Sequence, residues 1–261
     1  MARLTRATEA WAVAKAAAVA VVGDAFAPYL QGLGVAPGAI HRVANWTRAI
    51  VPSLSAPETR ARFGWEDGRQ VVLHAGNMGF KQGLEQVVEA ARIAAACDDP
   101  VRFVLAGGGN RAEAIRKAAS GLSNVEFLGV QPDEIHASLL AAADVLLLSE
   151  RPSQMAMSLP SKLTSYFAAG RPILAAVPAG GASSVEVQRS EAGLVVVACR
   201  PDDLLDALRR LRSDPALASR LGAAGQTYAS TNTSATGSLA QAERFVDVIA
   251  GRRPLLQEEI A

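Results

Sequence analysis

From residue 70 onward, six short apolar runs, at 71–75, 102–106, 125–130, 145–149, 172–177 and 194–198, alternate with stretches whose apolar residues recur at helical spacing. That alternation restricts the fold more than any other feature of the chain. The runs are nearly uninterrupted by polar residues, so each strand needs cover on both faces. The cover comes from the connecting segments, where Leu84, Val87, Val88 and Ala91, then Ile115, Ala118 and Ala119, then Ile135, Leu139 and Leu140 form apolar helix faces. The expected architecture is α/β, a doubly wound parallel sheet. Ligands of such sheets bind beyond the carboxyl ends of strands, which directs attention to the residues just after each run.

Two of those places combine glycine or proline with lysine. Gly76-Asn-Met-Gly79 follows the first run and leads into Lys81 and Gln82; glycine there allows a tight turn and close approach of a ligand, and the lysine adds a mobile positive charge. Pro160-Ser-Lys162 opens a helix that closes at Gly170. Proline suits a first turn because its missing N–H would be unpaired anyway, and the amides of Ser161, Lys162 and Leu163 are expected to stay free for an anion. Ser165 falls one turn further on the same face, within reach of a ribose or simply bonded back to its own helix. Two amide-rich turns on one sheet edge suggest a diphosphate, whose developing charge on bond cleavage would be stabilised by a preorganised ammonium and aimed N–H groups. A third turn, Ala106-Gly-Gly-Gly-Asn110, lacks the last glycine of the dinucleotide-binding pattern and a placed acidic partner, so a nicotinamide site is not expected there.

Composition removes other classes. The 261 residues carry 26 basic and 25 acidic side chains, a formal net charge of +1 without blocks of one sign, so nucleic acid is not an expected partner. Cys97 and Cys199 are too few and too far apart for a disulfide framework and are expected as core thiols. His41, His74 and His136 are scattered without metal-ligand spacing, and neither a metal nor a cofactor is expected. Near the amino terminus Arg3 and Arg6 precede an alanine-valine stretch resembling an export signal, but Glu9 and Lys15 interrupt it. It reads instead as a short helix followed by a buried strand at 16–22. No segment reaches the apolar length of a spanning helix, so a cytoplasmic protein, at most peripheral to a membrane face, is expected.

The same pass divides the chain. Residues 1–48 offer a helix, the strand at 16–22, a helix at 25–33 and a strand at 41–44, too little for a domain and similar to the tail of another α/β unit. A polar, proline-bearing linker is expected at 49–69, the main domain at 70–235, and a last helix with a tail at 236–261.

The motifs taken together resemble a known family. Asn45-Trp46, Ala75-Gly-Asn-Met-Gly-Phe-Lys-Gln-Gly-Leu84, Phe127-Leu-Gly129 with Gln131-Pro132, Ala143-Asp144, Leu159-Pro-Ser-Lys-Leu-Thr-Ser-Tyr-Phe-Ala-Ala-Gly-Arg-Pro-Ile173 and Asp214-Pro215 leading to Gly225 and Tyr228 are similar to the family 4 glycosyltransferases of the GT-B fold, in the branch of colanic-acid-type exopolysaccharide synthesis. The resemblance implies a Rossmann-like carboxyl-terminal donor domain with a remnant of a second Rossmann-like domain, the amino-terminal half being truncated. It implies a metal-independent hexosyltransferase, retaining at the anomeric carbon, that moves a sugar from a nucleotide-sugar donor to a glycan or lipid-linked acceptor. It places Lys81 as the group stabilising the leaving diphosphate, and Asn77, Gly79, Gln82, Gln131, Pro160, Ser161, Lys162 and Ser165 around the donor. Two departures stand out: Asn77 occupies the place of a common arginine, and Met157 and Ser165 that of a glutamate pair. The length implies a chain that supplies mainly the donor-binding half and transfers poorly or not at all alone unless a partner chain supplies the missing half; a non-catalytic nucleotide-sugar-binding module or subunit completed by a partner chain, and a nucleotide-sugar epimerase, are the alternative readings.

Overall fold

The computed structural model describes residues 2–46, 50–152 and 159–251. Its main sheet holds six strands, β3 (Gln70–Ala75), β4 (Val101–Ala106), β5 (Val125–Gly129), β6 (Val145–Ser149), β7 (Ile173–Val177) and β8 (Gly193–Val197), each within two residues of an expected run. All pairs are parallel, in the order β5-β4-β3-β6-β7-β8. Strand order therefore reverses between β3 and β6, the point at which an open α/β sheet forms its ligand crevice.

Alternation along the strands feeds two cores. Val72, Phe103, Leu105, Val145, Leu147 and Leu174 pack under α4 (Glu85–Ala96) and α9 (Pro201–Ser213). Leu73, Val104, Leu146, Leu148 and Ile173 pack under α6 (Asp133–Ala142), α7 (Lys162–Ala168) and α8 (Ala182–Arg189), together with Tyr228 from α10 (Pro215–Asn232). The remaining helix between strands is α5 (Ala112–Ala118), and α11 (Ala235–Ile249) follows α10.

The amino-terminal segment has a small core of its own. Here α1 (Ala2–Ala14) precedes β1 (Val19–Val21), α2 (Ala27–Gln31) and β2 (Ile40–Arg42), and β1 and β2 form a two-stranded parallel sheet. Val21, Leu30, Val35 and Ile40 are buried together. The strand expected at 16–22 is thus reduced to three residues, because Ala16 N still bonds back to Val13 O as the end of the preceding turn and only β2 is available as a partner.

The stretch expected as a linker is structured in large part. Residues Ala56–Phe63 form α3, opened by a capping box in which Glu58 N donates to Ser55 Oγ (3.4 Å) and Ser55 N donates to Glu58 Oε2 (2.8 Å). Its Arg60 reaches Asp144 and Ala142 O, and Trp65, fully buried, donates from Nε1 to Glu126 Oε2 at 3.0 Å. Proline and charge imitate a linker here, while the buried tryptophan binds the segment to the core. The cysteines also depart from expectation: both are exposed, Cys97 capping the end of α4 and Cys199 in a positive-φ turn after β8. Among the described residues no helix is long and apolar enough to cross a membrane.

Candidate functional site

The pairing of β3 with β6 covers only Val72↔Val145 and Leu73↔Leu146, and beyond it the two strands part. Backbone groups released by the parting need other partners. Tyr166, buried on α7, accepts from Ala75 N at 2.9 Å and directs its hydroxyl proton to Ala75 O and Leu147 O, both at 3.4 Å. Burial raises its pKa. His74 enters the same gap, with Nδ1 3.3 Å from Leu147 O and Nε2 3.3 Å from Asn77 O.

Above this gap opens a cleft of about 870 Å³. One wall is Gly76, Asn77 and Gln82, from the turn after β3. Facing it are Pro160, Ser161, Lys162 and Ser165, at the start of α7. Asp133 and His136 of α6, Asn45 and Trp46 after β2, and Ser238 and Leu239 of α11 complete the lining. The two turns singled out in the sequence therefore face one space, at the switch point of the sheet.

Lys162 supplies the charge. Its Nζ lies 3.2 Å from His74 Nε2, and a Cβ placed on Gly76 would lie 3.6 Å from Nζ. Burial of the ammonium lowers its pKa to about 8, against a smaller opposing pull from Glu150. His74 is depressed further, to about 3, by its burial and then by the Lys162 charge, so it is neutral at any physiological pH. Glu150 is raised by burial and accepts from Ser183 Oγ at 2.6 Å. His136 is lowered, again mainly by burial.

The other expected residues divide between the cleft and its rim. Asn77, Gln82, Pro160, Ser161, Lys162 and Ser165 line the cleft; Gly79, Lys81 and Gln131 do not. Lys81 is exposed on the single 3-10 turn Phe80–Gln82, held from outside by Arg151, which stacks over Phe80, donates from Nε to Phe80 O at 2.8 Å and from its backbone N to Lys81 O at 3.0 Å. The Gly79 amide is already taken, donating to Gln82 Oε1 at 2.9 Å. Gln131 turns its Nε2 onto Leu128 O. At α7 the Leu163 and Thr164 amides fold back onto Pro160 O and Ser161 O (both 3.2 Å), so Leu163 is not the free donor the sequence suggests and the leading donors are Ser161 and Lys162. Ser165 Oγ gives its proton to Lys162 O at 2.8 Å, leaving the oxygen as an acceptor only. Met157 lies outside the described residues.

Sequence reasoning named His74 only among three scattered histidines and gave it no place in the site, since a lone histidine inside an apolar run carries no local signal. It also left the Gly107-Gly-Gly109 run without a role. That run is a backbone crossing: Met78 N donates to Gly108 O (2.6 Å) and Arg111 N to Met78 O (3.0 Å), and a Cβ on Gly107 would come within 2.0 Å of Gly76 O. The glycines bring one turn against the other and so support the wall formed by Gly76 and Asn77. Among the described residues no group of three or more His, Cys, Asp or Glu side chains is disposed to hold a metal ion.

Comparison with known proteins bears on this arrangement. The family profile described as "Glycosyl transferases group 1" matches residues 55–228. The putative colanic acid biosynthesis glycosyl transferase WcaI of Escherichia coli K12 is 32% identical over 144 residues, 52% of this chain and 35% of that protein. The alpha-D-kanosaminyltransferase of Streptomyces kanamyceticus is 27% identical over 221 residues, 82% of this chain and 55% of that one. The chain thus spans between 35% and 55% of these relatives' length. Among solved structures, Anabaena Alr3699/HepE in complex with UDP superposes with a TM-score of 0.73 at 16% identity, covering 90% of this chain and 64% of that one. The sucrose-phosphate synthase of Thermosynechococcus elongatus gives 0.74 at 22%, covering 95% and 62%. These likenesses show a shared fold.

Proposed function

The chain belongs to the group 1 glycosyl transferases, and from that premise we propose that it takes part in transferring a sugar from a nucleotide-sugar donor to a polysaccharide or lipid-linked acceptor, supplying mainly the donor-binding half. One observation carries this reading: the turn after β3 and the start of α7 face a single cleft whose floor holds the Lys162 ammonium. A nucleotide sugar presents a diphosphate between two neutral ends, and the cleft offers the positive charge of Lys162 and the Ser161 and Lys162 amides between the wall of Gly76, Asn77 and Gln82 and the start of α7.

The chemistry follows from where charge moves. As the bond between the sugar's anomeric carbon and the diphosphate breaks, negative charge grows on the leaving oxygens, and donors fixed in place before reaction stabilise that state more than the ground state. Lys162, confined by burial, needs little reorganisation. Lys81 stands at the rim and would reach the same anion by an inward turn of the exposed 80–82 segment. Asn77 and Gln82 provide hydrogen bonds on one wall, and Ser165 an acceptor on the other. The name of the E. coli relative favours an acceptor in exopolysaccharide synthesis; a hexosyl donor and retention at the anomeric carbon are proposed with it. Work at a membrane face, and completion of the acceptor side by another domain or chain, belong to the same proposal.

The direct test is a thermal-shift panel of uridine, guanosine and adenosine diphosphates and their sugar conjugates. A ligand that binds only the folded state raises the melting temperature with concentration, by RT ln(1 + [L]/Kd) in free energy. At least one nucleotide sugar should do so; if none does at millimolar concentration, the donor-binding reading fails.

A further inference from the structure

His74 is fully buried, yet its edge faces the Lys162 ammonium on the cleft floor. Its hydrogen bonds fix its tautomer. Nδ1 faces only an acceptor, Leu147 O at 3.3 Å, whereas Nε2 also faces a donor, so the proton is assigned to Nδ1. Nε2 is then a lone pair. Of its two neighbours, Asn77 O is another acceptor, whereas Lys162 Nζ is a donor at 3.2 Å. The Lys162 ammonium has three N–H bonds and gives one to the imidazole, leaving two for a ligand.

The choice of partner matters for binding. A carboxylate in place of His74 would neutralise the ammonium and compete with an anionic ligand, while a neutral imidazole orients the group and leaves its full charge unspent. The carboxylate that pulls on Lys162, that of Glu150, accepts from Ser183 Oγ at 2.6 Å.

Resting on the nucleotide-sugar reading above, we propose that His74 is a positioning residue, whose neutral Nε2 aims the Lys162 ammonium at the Gly76 end of the cleft to receive the diphosphate of the donor. The titratable groups around this ammonium are His74 from β3, Glu150 after β6, and His136 with Asp133 from α6. Lys162, lowered to about 8 by its burial, loses its charge around that pH, in the direction that weakens an anion's binding.

The experiment is calorimetric titration of the full chain with uridine, guanosine and adenosine diphosphates between pH 6.5 and 9.5. Wild type, Lys162→Met, Lys162→Arg, His74→Phe and His74→Gln are compared, each with its fold checked by circular dichroism. Lys162→Met should bind at least about tenfold more weakly at pH 7. Wild-type affinity should fall above about pH 8, approaching tenfold per pH unit, as the ammonium loses its proton. His74→Phe, without an acceptor for the ammonium, should move that decline to lower pH; His74→Gln, which keeps one, should restore it; Lys162→Arg should abolish it. An unchanged affinity in Lys162→Met, or a decline at the same pH in folded His74→Phe, overturns the inference while the donor-binding reading stands. Absence of binding by wild type to every diphosphate overturns both.

Discussion

Arg42 Nη2 lies 2.6 Å from Glu186 Oε1 and 2.6 Å from the Tyr228 hydroxyl, which itself donates to the same carboxylate oxygen at 2.7 Å. The three residues join the end of β2 to α8 and α10; the Glu186 side chain is buried, at 4% exposure, and that of Arg42 largely so, at 12%. Burial, and then the Glu186 charge, push the Tyr228 phenol up to about 12, so it stays a donor. This contact, with the bond from Ala44 N to Gln241 Oε1 at 2.8 Å, fixes the amino-terminal segment where it forms one side of the cleft.

Removing one partner of such a pair leaves an uncompensated buried charge. Arg42→Ala should therefore cost about 3–5 kcal/mol in urea unfolding, and the double replacement Arg42→Met with Glu186→Leu should recover much of that loss. A cost below about 1 kcal/mol for the single change would mean the pair is solvated and does not hold the segment.

His74 should leave a signature in acid. Its folded pKa of about 3 lies below its ordinary 6.5, so between these values the unfolded chain binds a proton that the native one refuses. The resulting stability is fully present above pH 6.5 and is lost as pH falls toward 3, at up to about 1.4 kcal/mol per pH unit. Unfolding midpoints of wild type and His74→Gln at pH 4, 5, 6 and 7 isolate this one group: the difference between them should change with pH in that window. A constant difference would place the imidazole in solvent.

Neighbouring glycines should answer differently to alanine. At Gly107, φ is +130° and the added methyl would strike Gly76 O, so Gly107→Ala should destabilise by about 3 kcal/mol or more and weaken diphosphate binding with the displaced wall. At Gly108 the nearest atom would be Val130 Cγ2, at 3.4 Å, and φ is not positive, so Gly108→Ala should cost less than about 1 kcal/mol. Chemical denaturation of the two variants decides whether the crossing of these turns matters.

Lys81→Ala tests whether the rim lysine joins the site. If the 80–82 turn moves inward on binding, loss of the charge should weaken nucleoside diphosphate binding by about 1–3 kcal/mol, with unfolding stability unchanged because the side chain is exposed. Calorimetric affinity equal to wild type would leave Lys162 as the working cation.

Much of this molecule can be read locally. Apolar runs bounded by turn residues give all six strands of the main sheet, and glycine, proline and lysine after the first and fourth runs identify the two turns that line the cleft. Where local signals conflict with burial they mislead: the stretch at 49–69 has the composition of a linker, but Trp65 draws it into the core, and two cysteines in apolar company end on the surface at a helix end and a turn.

The sequence by itself determined the alternation of strand and helix, the doubly wound class, and that two amide-bearing turns fall at strand ends, because strand and helix periods and turn chemistry act over a few residues. Only the tertiary structure decided that β3 and β6 adjoin and then part, that Lys162 meets His74 across 88 positions of chain, and that Gly79, Lys81 and Gln131 stay outside the cleft. Those outcomes depend on which strands pair and how far their register runs, and on which donors the backbone has already satisfied, properties of the assembled sheet that no window of sequence contains.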